Sequence, residues 1–143
     1  MKDETINVTW NITSVTHRIP TYGQVSSRNF AVKHIPGLEL ILKTDLSPYG
    51  KMSLYMCKRS TITAYKASIR LGGTLVTLLH PTDTTKHINR LFNDNSMLVG
   101  PTGSLGWTEF ITDFRPYIAA NGSITITCKV SCRVDIESDG NTV

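Results

Sequence analysis

The sequence predicts one antiparallel β-sandwich of seven to eight strands. Short segments rich in β-branched residues alternate between apolar and polar side chains, and turn residues separate these segments about every 8–12 positions. The sequence shows no regular alternation of strand and helix patterns, which disfavours a parallel sheet. The chain has 143 residues, 40% of them hydrophobic and 18% charged, and this length and composition predict one folded domain.

The first strand pattern is the most regular. Positions 6–13 alternate strictly, which places Val8, Trp10 and Ile12 on one face, and we assign Trp10 to the core. A second strand is predicted from Val25 to Val32. It ends close to Pro36-Gly37, a pair that favours a turn.

Four further strands are predicted in the middle of the chain. Their bounds are Leu38–Leu42, Met52–Lys58, Thr61–Leu71 and Thr74–His80. The turn residues between positions 45 and 50 separate the first two, and Gly72-Gly73 predicts a two-residue hairpin between the last two.

Two tyrosines of these strands are candidates for a surface site. Tyr55 lies opposite the apolar positions of the Met52–Lys58 strand, which should face the core, so Tyr55 is expected to face outward. Tyr65 shares its alternation with Ile69 and Leu71, and alternation alone leaves its face undecided. A partly exposed tyrosine combines an apolar ring with a hydroxyl that can bond a peptide.

The alternation fades between positions 81 and 106. Within this stretch, positions 84–92 are predicted to form a helical turn with Ile88, Leu91 and Phe92 on one side.

Strand patterns return in the last third of the chain. Positions 107–111 are aromatic-rich, and a final long strand is predicted from Ser123 to Val134, after an Asn-Gly turn. We therefore expect the domain to span residues 5–134, with a short tail at 1–4 and a polar tail or linker at 135–143.

The three cysteines indicate a reducing compartment. Cys57, Cys128 and Cys132 form no CxxC motif, and an odd number favours reduced thiols in the cytoplasm or nucleus. Cys128 and Cys132 lie four residues apart in a predicted strand, about 13 Å along an extended chain, which is too far for a disulfide. We interpret both as small buried hydrophobic residues.

The sequence contains no membrane signal. It has no apolar run near the ~20 residues of a spanning helix, and its first residues lack the apolar core of a signal peptide. Three sequons for N-glycosylation begin at Asn7, Asn11 and Asn121, and we interpret them as chance matches in a chain rich in Ser and Thr.

Composition and motifs disfavour nucleic-acid binding and catalysis. The net charge is +4, but the basic residues are scattered and form no known nucleic-acid-binding pattern. His80 and His87 flank a turn-rich loop and form no metal-binding motif, and the glycine-rich positions 100–106 lack the lysine of a phosphate loop. The sequence therefore predicts a protein that is not an enzyme, with no metal and no cofactor.

Six segments, in this order, resemble motifs of the MATH (TRAF-like, meprin) domain family. They are the Trp-x-Ile strand at 8–12, the strand with glycine, serine and phenylalanine at 23–30, the "LSLYL"-like strand at 52–56, the segment 65–69, the "WGF-x-x-FI"-like stretch at 105–111 and the closing strand at 121–130. The resemblance covers residues 5–134. Within the family, the chain is most similar to the substrate-binding domain of MATH–BTB ubiquitin ligase adaptors.

The resemblance implies an eight-stranded sandwich that binds a short extended peptide of a substrate protein at a sheet edge. The peptide would add a strand by main-chain hydrogen bonds, and alternate side chains would enter pockets. In MATH–BTB adaptors a BTB region outside this chain self-associates and binds a cullin, which leads to ubiquitination of the bound protein. A TRAF-like signalling scaffold, the non-catalytic domain of a deubiquitinase and a secreted meprin-like protein are the alternatives, and the neighbouring domains would distinguish them.

The resemblance also implies a set of peptide-binding residues. Tyr55 and Tyr65 stand where the family has groove aromatics, Leu105-Gly106-Trp107 stand where it has a Trp-Gly-Phe pocket and docking strand, Ser104 and Thr108 flank this strand, and Met97 falls near another groove tyrosine. Leu replaces the family's Trp and Trp replaces its Phe, so the pocket is expected to differ in shape from that of the relatives.

Overall fold

Two antiparallel sheets pack face to face, which confirms the predicted all-β sandwich. The structure is a computed structural model, and it describes residues 2–15, 24–33, 37–60, 67–99 and 103–136. The strands are β1 (Lys2–Ile12), β2 (Gln24–Ser26), β3 (Phe30–Ala31), β4 (Leu38–Asp45), β5 (Met52–Ser60), β6 (Ala67–Arg70), β7 (Leu75–Leu78), β8 (Ile88–Leu91), β9 (Met97–Leu98), β10 (Ser104–Ile111) and β11 (Ile124–Ile136). Within these ranges, short 3-10 helices cover Thr84–Lys86 and Arg115–Tyr117.

The first sheet is built around the long last strand, β11. β1 pairs with β11 along its whole length, from Lys2 opposite Val134 to Ile12 opposite Ile124. β6 and β7 pair with successive parts of β11, and β9 and β8 pair in turn with β6 and β7. Since a strand has only two edges, β6 and β7 share the edge of β11 that β1 leaves free.

The second sheet has the order β10-β5-β4-β2, and β3 also pairs with β4. Some strands follow one another along the same line of the sheet: β2 and β3, β6 and β7, and β8 and β9. When each such pair is counted as one strand, each sheet has four strands in the described part of the chain. The two sheets together therefore form the seven- to eight-stranded arrangement that the turn spacing predicts.

Alternating side chains of both sheets form one hydrophobic core between them. Trp10 lies in this core with 8% of its surface exposed, as predicted. The apolar positions of β5 are buried as well, and so are Cys128 and Cys132, which are free thiols. The prediction that these two cysteines act as buried hydrophobic residues is confirmed.

The predicted hairpin at Gly72-Gly73 is wrong. β6 and β7 do not pair with each other, because both lie antiparallel to β11. The glycines instead belong to a tight turn in which the Thr74 amide donates to the Leu71 carbonyl, and Gly73 adopts a φ of 87°. The Thr74 hydroxyl bonds the backbone of Ser131 on β11, so the turn is an insertion between two collinear strands.

The predicted helical turn over positions 84–92 is also wrong for most of its length. Only Thr84–Lys86 forms a 3-10 helix, with Asp83 capping it through the Thr85 amide, and the following residues form β8. Phe92 is buried, whereas Leu91 is 62% exposed, so the two do not share a face. Pairing with β7 therefore prevailed over an apolar spacing that fits a helix equally well.

The predicted second strand is divided in two. β2 and β3 both pair with β4, but their registers differ by one residue. Between them the Ser27 amide donates to the Leu42 carbonyl, and the Ser27 hydroxyl accepts from the Leu42 amide. Four steps along this strand, from Ser26 to Phe30, oppose only three steps along β4, so the strand carries one extra residue relative to β4, as in a β-bulge.

Strand pairing extends to Lys2 and Ile136, slightly beyond the expected bounds of the domain at residues 5 and 134. No helix in the described ranges is long and apolar enough to cross a membrane.

Candidate functional site

An edge of the second sheet carries most of the residues predicted to bind a peptide. β10 is the terminal strand of this sheet and, within the described ranges, pairs only with β5. We call the segment Ser104–Thr108 of this strand the β10 edge.

The hydrogen-bond pattern shows which backbone groups of the β10 edge are available. The Lys58 amide donates to the Gly103 carbonyl at 2.8 Å, and these two residues continue the register of β5 and β10. In an antiparallel pair, residues that bond the neighbouring strand alternate with residues whose N–H and C=O point away from it. Ser104 and Gly106 therefore direct their backbone groups toward the free side of β10.

The outer face of the sheet places Tyr55 beside this edge. Gly106 lies opposite Tyr55, and Ser104 lies opposite Cys57. Directly opposed residues project to the same face, and Tyr55 is half-buried there, while the preceding Leu54 is in the core. The prediction that Tyr55 faces outward is confirmed.

Gly106 is required by the close approach of β10 to β5. A Cβ atom at this position would overlap the carbonyl oxygen of Leu54 and would lie 2.7 Å from the Cα atom of Tyr55. No other amino acid fits without moving one of the two strands. The glycine also leaves the outer face open between Tyr55 and the free edge.

Leu105 and Trp107 project to the opposite face from Tyr55. Both pack against the hydrophobic core, and the Trp107 ring lies 4.7 Å from Phe92 and 5.5 Å from Phe110 between ring centroids. The alternation of side chains along a strand is the reason, because the two neighbours of Gly106 must face inward. These two residues anchor the β10 edge to the core and do not line the outer face.

Of the four remaining residues of the predicted site, Ser104 and Thr108 lie on the β10 edge. Met97 lies in β9 of the first sheet, where it pairs with Arg70. Thr108 is exposed on β10, as is Ser104. Tyr65 lies outside the described residues. The structure therefore brings together Tyr55, Ser104 and Gly106 from the predicted set.

A shallow cavity of about 530 Å³ opens on the outer face next to the β10 edge. Its lining residues come from four different strands: Gln24, Lys43, Tyr55, Cys57, Lys58, Arg59 and Ser104. No sequence motif singles out Lys43 or Arg59. Strand alternation places Arg59 on the same face of β5 as Tyr55. That Lys43 lies next to Tyr55 follows only from the register between β4 and β5.

The cavity has a positive electrostatic character. Lys43 lies opposite Tyr55, and Arg59 lies four residues further along β5. Lys58 also lines the cavity, and burial lowers the pKa of its ammonium group. Burial raises the pKa of the Cys57 thiol, although the positive charge of Lys43 opposes this effect, so Cys57 is neutral at physiological pH.

The far end of β10 is closed to pairing. The register between β10 and β5 shifts after Trp107, which marks a bulge before Ile111. Here the Arg90 side chain from β8 donates to the Phe110 carbonyl at 2.9 Å and lies 5.7 Å from the centre of its ring. The stretch open to a docked strand is therefore short and begins at Ser104.

The structure gives the loop histidines a role in loop geometry. His87 Nδ1 accepts from the His80 amide, and His80 Nδ1 accepts from the amides of Thr82 and Asp83. Across the described part of the chain, no group of three or more His, Cys, Asp or Glu residues could hold a metal ion.

Comparison with protein-family models finds no match for this chain, and comparison with curated protein sequences finds none either. The resemblance to MATH domains therefore rests on the sequence motifs themselves.

Proposed function

We propose that this chain is a peptide-recognition domain that binds an extended segment of another protein along the β10 edge. The observation that carries the proposal is the pair of outward-directed backbone positions, Ser104 and Gly106, beside the half-buried Tyr55. Such an edge offers the main-chain donors and acceptors that an added strand needs.

The two parts of the site have separate roles in this proposal. Backbone pairing supplies affinity that depends little on the peptide sequence, and Tyr55 with the adjoining cavity supplies selectivity for one or two side chains. The bulge and the Arg90–Phe110 contact limit the paired stretch to about five residues of β10, from Ser104 to Thr108. A short linear motif is the ligand that fits such a stretch.

We further infer that the domain selects substrates for a cullin-RING ubiquitin ligase, as an adaptor of the MATH–BTB type. The support is the order of the six sequence motifs over residues 5–134, together with the edge that such a role requires. The partners would be peptide segments of substrate proteins and, through a BTB region outside this chain, a cullin.

A proline substitution tests the backbone component. Ser104→Pro removes the N–H that points to the free side of β10 and leaves the bond between Lys58 and Gly103 in place. Leu91→Pro is the matched control, because its N–H also points to a free strand edge, that of β8 in the first sheet. Binding is measured on an array of random decapeptides. We expect Ser104→Pro to lose binding to the peptides that the unmodified protein binds, and Leu91→Pro to bind them as the unmodified protein does.

An alanine substitution tests the side-chain component. Tyr55→Ala should weaken binding of the selected peptides about tenfold, because it removes the aromatic ring at the edge. Tyr49→Ala is the control, since Tyr49 is 86% exposed in the turn before β5. Equal binding by unmodified protein, Ser104→Pro and Tyr55→Ala, all with unchanged unfolding temperatures, would contradict the location of the site.

The adaptor role has its own test. The full-length protein, immunoprecipitated from cells, should carry a cullin and should promote ubiquitination of a protein that contains a selected peptide. The Tyr55→Ala protein should retain the cullin and lose the ubiquitination. Peptide binding without any associated cullin would support the recognition domain and refute the ligase role.

A further inference from the structure

Two cationic side chains, Lys43 and Arg59, line the cavity beside the β10 edge without an ion-pair partner among the described residues. Within the described residues the ion pairs are Lys86–Asp83, Arg115–Asp113 and Arg133–Asp3, and neither Lys43 nor Arg59 takes part in one. Both side chains nevertheless line the same space of about 530 Å³. Two positive charges that line one open cavity form an attractive site for an anion.

The carboxylates on this face of the sheet are engaged by neutral donors. Glu39 lies opposite Arg59, but its Oε1 accepts from the Asn29 side chain at 3.3 Å. Asp45 accepts from the Ser53 hydroxyl at 3.2 Å. Neither Glu39 nor Asp45 forms an ion pair with Lys43 or Arg59, so the charge of these two cations is available to a ligand.

The other polar groups of the cavity are suited to an anion as well. Ser104 and Tyr55 carry hydroxyls that can donate a hydrogen bond, and the neutral Cys57 thiol adds no negative charge. Ser104 and Cys57 are directly opposed on the outer face. A strand docked on the β10 edge would therefore place the side chain next to Ser104 at the mouth of the cavity.

We propose that the cavity binds the phosphate of a phosphoserine or phosphothreonine in the docked peptide, so that phosphorylation of the peptide switches binding on. This inference rests on the proposed function, since the same docked strand presents the phosphate. A phosphate ester carries about 1.5 to 2 negative charges at neutral pH, whereas a carboxylate carries one. Only the phosphate matches both Lys43 and Arg59, and its oxygens accept charge-assisted hydrogen bonds from both side chains.

The test uses three degenerate peptide libraries of equal length, with phosphoserine, serine or glutamate fixed at the centre. Binding is measured for the unmodified protein and for Lys43→Gln/Arg59→Gln. The control is Arg28→Gln/Lys129→Gln, which lowers the net charge by the same amount at two exposed positions that do not line the cavity. Thermal unfolding of each protein shows that the exchanges leave the fold intact.

We expect the unmodified protein and the control to prefer the phosphoserine library over the serine library by about tenfold or more. The Lys43→Gln/Arg59→Gln protein should bind both libraries equally weakly. The glutamate library should fall between the two, since it supplies one charge, and equal binding of glutamate and phosphoserine would overturn the assignment to phosphate.

Two other results would overturn the proposal, and they separate it from the proposed function. If the serine library binds as well as the phosphoserine library, and Ser104→Pro abolishes both, peptide recognition stands and the phosphate site is refuted. The same holds if the phosphoserine preference persists in the Lys43→Gln/Arg59→Gln protein. If no library binds the unmodified protein, both proposals fail.

Discussion

At the scale of single residues, the close packing of β10 on β5 depends on Gly106. Its backbone lies so close to β5 that an added methyl group would overlap the Leu54 carbonyl. We expect Gly106→Ala to lower the free energy of unfolding by about 1–3 kcal/mol, because one of the two strands must move to admit the side chain. Urea denaturation measures this loss.

Thr108→Ala on the same strand is the control for this substitution. Thr108 is exposed, so its change should stay within about 0.5 kcal/mol. If Gly106→Ala proves as stable as Thr108→Ala, the close approach of the two strands is not rigid.

The buried Cys128 makes the protein sensitive to alkaline pH. Burial raises the pKa of this thiol from 9.0 to about 12, and the residue is only 2% exposed. Since the folded state favours the protonated thiol, this stabilising contribution is complete below pH 9 and is lost as the pH rises toward 12. At pH 10.5 the loss for this one residue should be about 2 kcal/mol relative to pH 8.

The measurement is the free energy of unfolding of unmodified protein and of Cys128→Ala at several pH values from 8 to 10.5, in the presence of a reductant. The alanine variant is less stable throughout because of the cavity it creates, but its stability should decline less steeply with pH. Parallel curves for the two proteins would show that Cys128 is not responsible. Cys132, whose pKa is raised to about 11, remains in both proteins and contributes to the common decline.

At the scale of single strands, the closed end of β10 depends on Arg90. Its guanidinium donates to the Phe110 carbonyl and packs on the Phe110 ring. Arg90→Met keeps a long apolar side chain but removes these donors, and we expect a loss of about 1–2 kcal/mol in unfolding free energy. Amide hydrogen exchange at the end of β10 should accelerate at the same time.

Lys129→Met removes an exposed positive charge elsewhere on the first sheet and serves as the control. It should leave exchange at the end of β10 unchanged. If both variants alter exchange in β10 equally, the effect arises from net charge and not from the contact with Phe110.

Strand alternation predicted the faces of the regular strands but not the connections between them. It placed Trp10 in the core and Tyr55 on the outer face, because one side of each strand is consistently apolar. It failed at β8, where the apolar positions fit a helix and a strand equally, and at Gly72-Gly73, where a turn inserted between collinear strands has the same residues as a hairpin.

The candidate site was predicted only in part, for two physical reasons. The motif resemblance grouped Leu105, Gly106 and Trp107, although strand geometry requires that Gly106 and its neighbours face opposite sides. Lys43 and Arg59 join the site because β5 pairs with β4 on one side and with β10 on the other, and this pairing is a tertiary property that no local pattern contains.

At the scale of the whole molecule, both sheets contribute to one core. β1 pairs with β11 over eleven residue pairs, so the first and the last described strands are joined within the first sheet. The buried cluster includes residues of β1 and β11 as well as residues of β4 and β5. A small domain with a single shared core is expected to unfold in one cooperative step.

The two tryptophans allow this cooperativity to be tested one sheet at a time. Trp10 lies in the first sheet opposite Ile126, and Trp107 lies in the second sheet opposite Leu54. In Trp107→Phe the fluorescence reports on the first sheet, and in Trp10→Phe it reports on the second. Within each variant we expect the urea midpoint from tryptophan fluorescence to coincide with the midpoint from far-ultraviolet circular dichroism, which averages over both sheets. Both substitutions lower stability, so the comparison is made between probes in one protein and not between proteins. If fluorescence in Trp10→Phe changes at lower urea than circular dichroism does, the second sheet opens before the first, and the β10 edge belongs to a separately unfolding unit.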